Sequence, residues 1–256
     1  MTTANIERTI DYVHAHGMPH QGAILMVVSS PGISEQTGWP IGFWAAELTH
    51  PLRVFQEAGY QVTIASTQGG AIEMDTYSDP RDPSGYSAHD TISMGYLQQE
   101  SFIELLGNTE AIDNIDTDGF DAIFLVGGQA PMYSFRNNPR IHELLASFLS
   151  ANKPTAAVCH ATTALLEAKD ETGALLVEGK TWTGFSNAEE AFADKAVGQR
   201  IQPYWIQDEA TKLANTNFVV ADPFMAHAIA DGNLITGQQQ NSGEAAARLM
   251  IQQLKK

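Results

Sequence analysis

Four short apolar runs, each followed by a turn and a stretch of helical period, limit this chain more than any other feature. Ala23 to Ser29 (AILMVVS), Tyr60 to Ser66 (YQVTIAS), Asp121 to Val126 (DAIFLV) and Thr155 to Val158 (TAAV) are short and mostly apolar, with β-branched residues in each. Runs of this kind read as strands buried on both faces, and helical segments between them supply the cover through crossovers. The expectation is an α/β fold with a mainly parallel sheet sandwiched by helices.

The intervening segments fit that plan. Phe43 to Ala58 has helical spacing and stops at Gly59, with Pro51 expected to kink or interrupt it. Asn137 to Ser150 reads as a helix, Phe218 to Ala221 and Leu234 to Thr236 as late strands. Asn241 with Glu244 three residues on is a capping pair for a final helix through Leu254. Residues 67 to 90 are dense in Gly, Pro, Ser and Asp, which predicts a long surface insertion. No linker divides the chain, so residues 1–22 read as a leader and 23–256 as one domain.

Composition narrows the partners. Fourteen Lys plus Arg stand against 30 Asp plus Glu, a formal charge of -16, which repels nucleic acid and anionic membrane surfaces. The single cysteine excludes an internal disulfide, and no Cys/His spacing suggests a structural zinc site. No metal or organic cofactor is expected. The N-terminus lacks an uninterrupted apolar stretch and no run is long enough to span a bilayer, so the chain reads as cytoplasmic.

The chemistry concentrates in KPTAAVCHATTALLEAK, where a small-residue strand runs into Cys159-His160 and then a segment favouring helix. A residue at a sharp strand-to-helix turn projects above the sheet, as in a nucleophile elbow, and the helix N-terminus there favours negative charge. The expectation is a thiol with a depressed pKa, reactive near neutral pH. Taken alone, Cys159 also fits a small buried hydrophobe and His160 a core histidine.

The elbow, with GFWAAELTHPLRVFQEAGYQVTIAS, FDAIFLVGGQAPMYSF, EGKTWTGFSNAEE and LITGQQQNSGEAA, resembles the ThiJ/PfpI superfamily of class I glutamine amidotransferase-like proteins. The likeness covers nearly all of the chain from Ala23 on. The GFW start, the insertions and TGFSNAEE are most similar to the branch of heat-shock chaperones and glutathione-independent glyoxalase III enzymes. That resemblance implies a flavodoxin-like fold, a homodimer and a small carbonyl substrate.

It implies a mechanism as well. Cys159 would add to a 2-oxoaldehyde such as methylglyoxal, Glu47 would move protons between the substrate carbons, and His160 would assist, with Glu190 beside it. Backbone N–H groups of Gly128 and His160 would receive the oxyanion. The chain departs from the glyoxalase pattern at Gln129-Ala130, where a His-Gly pair is usual, and at Ala161-Thr162, where Gly-Pro is usual. Gln129 lines the implied substrate pocket and, unlike histidine, cannot titrate. Alternatives are a stress chaperone or redox sensor using the same thiol, or a cysteine hydrolase or peptidase. A glutaminase needs a late His-x-Glu, whereas His227 is followed by Ala228-Ile229.

Other residues carry weaker signals. Without the resemblance, Glu47 is a solvated helix carboxylate and the Glu189-Glu190 pair a dipole-stabilised helix start. His14, His16 and His20 have no regular structure to fix them as metal ligands; His50 and His89 could join a carboxylate in a surface metal site, but nothing in the sequence fixes their distance. Trp39, Phe43, Trp44, Trp182 and Trp205 are divided between a pocket mouth and the core.

Overall fold

The structure, a computed structural model, describes residues 9–10 and 21–256. The first strands in chain order are β1 (Thr9–Ile10), β2 (Gly22–Val28), β3 (Gly32–Ile33), β4 (Pro40–Ile41), β5 (Tyr60–Ser66) and β6 (Glu110–Ala111). The others are β7 (Ala122–Leu125), β8 (Thr155–Val158), β9 (Thr181–Trp182), β10 (Asn217–Phe218), β11 (Ala228–Asp231) and β12 (Leu234–Gly237). The main sheet has the order β1-β5-β2-β7-β8-β12-β11, with β6 also paired to β5. Its interior is parallel, while β1 and β11 close the two edges antiparallel.

Side chains alternate across this sheet, as the pleat requires. Ile24, Met26 and Val28 join Phe55, Phe124 and Met250 on one face; Leu25 and Val27 join Ile123, Leu144 and Phe148 on the other. Helices therefore cover both faces, which accounts for the unbroken apolar run in β2. The first described helix, α1 (Ala45–Glu57), packs on the same side as the last helix, Gly243–Leu254. From β2 the chain goes first to β5 on one side, then to β7 on the other. The order thus reverses at the carboxyl ends of β2 and β7, the place where open α/β sheets form binding crevices.

Several sequence expectations need correction. Pro51 does not interrupt α1, which runs from Ala45 to Glu57 with Pro51 inside it. The predicted strand Phe218 to Ala221 shrinks to β10 and pairs with β9 outside the main sheet. Strand β11 has no clear signal in the sequence, because AIAD is only four residues long and two of them are alanine, a poor strand former. The last helix follows Ser242 rather than an Asn241 cap: Gln239 accepts from Asn241 N–H, and Gln239 and Ser242 form the capping box of a preceding 3-10 turn. His14, His16 and His20 lie outside the described residues. Among the described residues no helix is long and apolar enough to cross a membrane.

Candidate active site

The strand-to-helix turn after β8 takes an unusual form. Val158 is extended, Cys159 has φ +58°, and residues Cys159–Leu166 form a fully buried 3-10 run. A helix was expected here; instead Thr162 Oγ1 donates back to the Cys159 carbonyl at 2.7 Å, and β-branched Thr162 and Thr163 disfavour regular α geometry. A left-handed backbone at a non-glycine residue costs about 1–2 kcal/mol, so the surrounding structure must hold it. What it achieves is projection of the sulfur above the sheet edge.

Three segments meet at that sulfur. Glu47, in the first turn of α1, is withdrawn from solvent, at 0% exposure. Gly127, just past β7, separates it from the elbow: a Cβ there would lie 2.3 Å from Glu47 Oε2, 2.5 Å from the Val158 carbonyl and 2.9 Å from Cys159 Cβ. Only glycine permits this approach. The Cys159 thiol and the Gly127 N–H are the groups that face the Glu47 carboxyl. Neither carboxyl oxygen has a hydrogen bond of full geometry.

Burial pushes the Glu47 carboxyl well above the usual range, the nearby Asp75 charge adding to the shift. Burial also pushes the Cys159 thiol up, and an ionised Glu47 pushes it further. The depressed thiol expected from the sequence is therefore corrected. The turn is too short and too buried to act as a long dipole, and His160 is the amide that steadies the sulfur. Cys159 and Glu47 titrate as a pair that resists a double negative charge.

On the other side of the sulfur, His160 Nδ1 lies 3.5 Å from Cys159 Sγ and Nε2 lies 3.0 Å from Glu190 Oε1. With the proton on Nε2 and donated to Glu190, Nδ1 is left to accept from the thiol. Phe185 stacks on the imidazole at 4.3 Å, fixing its plane. Burial raises the Glu190 carboxyl, with His160 opposing the shift. Its neighbour Glu189, in the first turn of Asn187–Val197, is equally buried but fully bonded. It accepts from Ser186, the Phe224 N–H at 2.8 Å and Gln238 Nε2 at 3.0 Å.

Gly128 lines the cleft with φ +122°, its α-carbon set against Phe43 and Trp44. Gln129 also lines it, and its N–H is committed to Asp75 Oδ2 at 2.7 Å. Asp75, missed by the sequence reading, is fully buried and accepts the Gly42 N–H at 2.9 Å as well. Burial raises it to about 6 against the two N–H groups that lower it. Residues 67–90 are thus more than a surface loop. The available signal was the alternation Ile72, Met74 in AIEMD, which shows the segment returning to the core.

Aromatic side chains build the cleft wall. Trp39 and Trp44 line it, whereas Phe43 and Trp182 are core and Trp205 packs under Arg200 at 5.0 Å. Tyr77, Tyr86, Phe192 and Phe224, none singled out from sequence, complete the wall. His50 pairs with Asp90 at 2.9 Å beside this cleft. No group of three or more His, Cys, Asp or Glu side chains among the described residues has the arrangement to hold a metal ion.

Known proteins are similar to this chain in sequence and in fold. A glutathione-independent glyoxalase of Schizosaccharomyces pombe is 27% identical over 239 residues, covering 91% of this chain and 96% of that protein. The X-ray structure of the Francisella tularensis Rapid Encystment Protein matches with a TM-score of 0.81 at 26% identity, over 91% of this chain and 99% of that one. The crystal structure of glyoxalase III from Candida albicans matches in fold, with a TM-score of 0.76 at 22% identity over 91% of this chain and 98% of that one. Residues 41–253 match the DJ-1/PfpI family model, and the chain belongs to the DJ-1/PfpI family.

Proposed function

We propose that this protein is a glutathione-independent glyoxalase-type enzyme that converts 2-oxoaldehydes such as methylglyoxal to 2-hydroxy acids. The observation that carries the reading is Glu47, a buried carboxyl with no full hydrogen bond, set across Gly127 from a strained cysteine. A group kept so costly has a use in chemistry rather than in stability. The kinship with glyoxalases supports the same conclusion.

The steps follow from the geometry. The Cys159 sulfur adds to the aldehyde carbon, its proton passes by way of His160 or Glu47 to the aldehyde oxygen, and a hemithioacetal forms with Glu47 left ionised. Glu47 takes the hydrogen of that carbon as a proton and returns one to the adjacent ketone carbon, while the hydroxyl proton passes from the oxygen of the first carbon to that of the second. The first carbon is thereby oxidised, the second reduced, and a thioester of the 2-hydroxy acid results. Water then cleaves the carbon–sulfur bond, freeing the acid and restoring the thiol. Backbone N–H groups of Gly128 and His160 receive the oxyanion, and Glu190 holds the histidine in place. Gln129 orients the dicarbonyl by hydrogen bonding alone.

A small carbonyl substrate, a homodimeric assembly and a cytoplasmic location complete this reading, the last supported by the single unpaired cysteine. Product analysis without glutathione tests it. Wild type should yield 2-hydroxy acid and Cys159→Ala should not. No acid from several oxoaldehydes, with the protein folded and Cys159 reduced, would favour the chaperone or redox-sensor alternative.

A further inference from the structure

The reaction described above draws on Cys159, His160, Glu190, Gln129 and the glycine turn at the base of the cleft, with Glu47 buried behind them. The space above that base is another matter. The cleft as a whole has a volume of about 200 Å³, and among the described residues no Lys or Arg lines it. Trp44 meets Tyr86 edge-on at 6.0 Å, and Phe192 meets Phe224 edge-on at 5.2 Å. Phe192 is 55% exposed and Tyr86 47%, so these rings present uncovered faces at the mouth.

Phe224 adds a second, independent observation. Its backbone has φ +60°, a true outlier for a bulky residue. Two polar side chains over-determine that conformation: buried Glu189 accepts its N–H at 2.8 Å, and Asn241 Nδ2 donates to its carbonyl at 2.9 Å. Strain held this firmly places the ring, and the ring faces the cleft. Methylglyoxal, with one methyl group, makes little use of such a wall.

Resting on the glyoxalase-type reading, we propose that the cleft selects uncharged 2-oxoaldehydes with an aromatic or bulky apolar substituent, seated among Trp44, Tyr86, Phe192 and Phe224. Ring–ring contact and removal of apolar surface from water supply the preference. The missing cations, together with the acidic chain, disfavour substituents bearing carboxylate or phosphate.

The test compares phenylglyoxal, methylglyoxal and 4-carboxyphenylglyoxal on the wild-type protein without glutathione, following the 2-hydroxy acid. We expect kcat/KM for phenylglyoxal to exceed that for methylglyoxal by at least about tenfold, the scale on which apolar pockets discriminate. The carboxylated ring should lose most of that advantage. Phe192→Ala, at a half-exposed site that tolerates truncation, should narrow the phenylglyoxal-to-methylglyoxal ratio. Turnover of methylglyoxal equal to or faster than phenylglyoxal overturns this selectivity while leaving the glyoxalase reading standing. Product from none of the three overturns both.

Discussion

The floor of the cleft and its wall each withdraw a glutamate from water, and they treat it in opposite ways. In the wall, Glu189 accepts from Ser186, Phe224 and Gln238, so the cost of burying it is offset by charge-assisted hydrogen bonds. In the floor, Glu47 lacks a hydrogen bond of full geometry to either oxygen and faces a thiol. A satisfied buried carboxylate fixes structure, here the position of Phe224. An unsatisfied one keeps its proton loosely assigned, which is the property a proton carrier needs.

Removing the chemical groups should have the largest effect. Cys159→Ala should lower turnover of a 2-oxoaldehyde by about a thousandfold or more, and Glu47→Gln by at least about a hundredfold. Glu47→Gln should leave the denaturant midpoint unchanged or raise it, since it removes a buried carboxyl whose burial outweighs the contacts that favour its charge. Retained activity, or activity lost together with the fold, would break the contrast. Glu189→Gln should do the reverse, costing about 3 kcal/mol in chemical denaturation because an amide cannot accept all the hydrogen bonds pointed at it. A midpoint equal to wild type would remove Glu189 from its structural role.

Asp75 sharpens the comparison, being bonded like Glu189 yet raised to about 6 from an ordinary 3.8. Between those values the folded state holds a proton that the unfolded chain has released. Stability from this group is therefore full below about pH 4 and lost as pH rises through about 6, by roughly 2–3 kcal/mol. Glu47 and Glu190, also raised, add in the same direction. Denaturation across pH 4–7 should show the fall, and Asp75→Asn should flatten it; equal slopes in both proteins would contradict the assignment. The smallest effect belongs to Glu190→Gln, about tenfold in kcat, because Gln can still accept from His160 Nε2 but without the strength of a bond to a carboxylate. No change in kcat would leave Glu190 a packing residue.

The floor was far more legible in the sequence than the wall. Tyr60–Ser66 and Thr155–Val158 match their strands residue for residue, because both are short, rich in β-branched and small apolar residues and bounded by turn residues. Cys159 lies against both Glu47 and His160, and His160 Nε2 meets Glu190, contacts made by residues that each stand in a segment with its own sequence motif. The wall depends on insertions with no periodicity. Asp75 is buried only because Gly42 and Gln129, 33 and 54 residues away, bring N–H groups to it. Phe224 owes its place to a contact with Glu189 across 35 residues. The 3-10 form of the elbow was hidden too, since Ala and Leu argue for helix while the Thr162 back-bond decides otherwise.

At the centre of the account is the movement of the substrate's hydrogen as a proton through Glu47, once Cys159 has formed the hemithioacetal. Running the reaction in deuterium oxide and reading carbon 2 of the 2-hydroxy acid by proton NMR addresses this step directly. The account predicts deuterium at carbon 2 with wild type, and little product of any kind from Glu47→Gln. Full retention of the substrate's own hydrogen at carbon 2, together with undiminished turnover by Glu47→Gln, would mark a hydride shift in which no carboxyl takes part, and would contradict it.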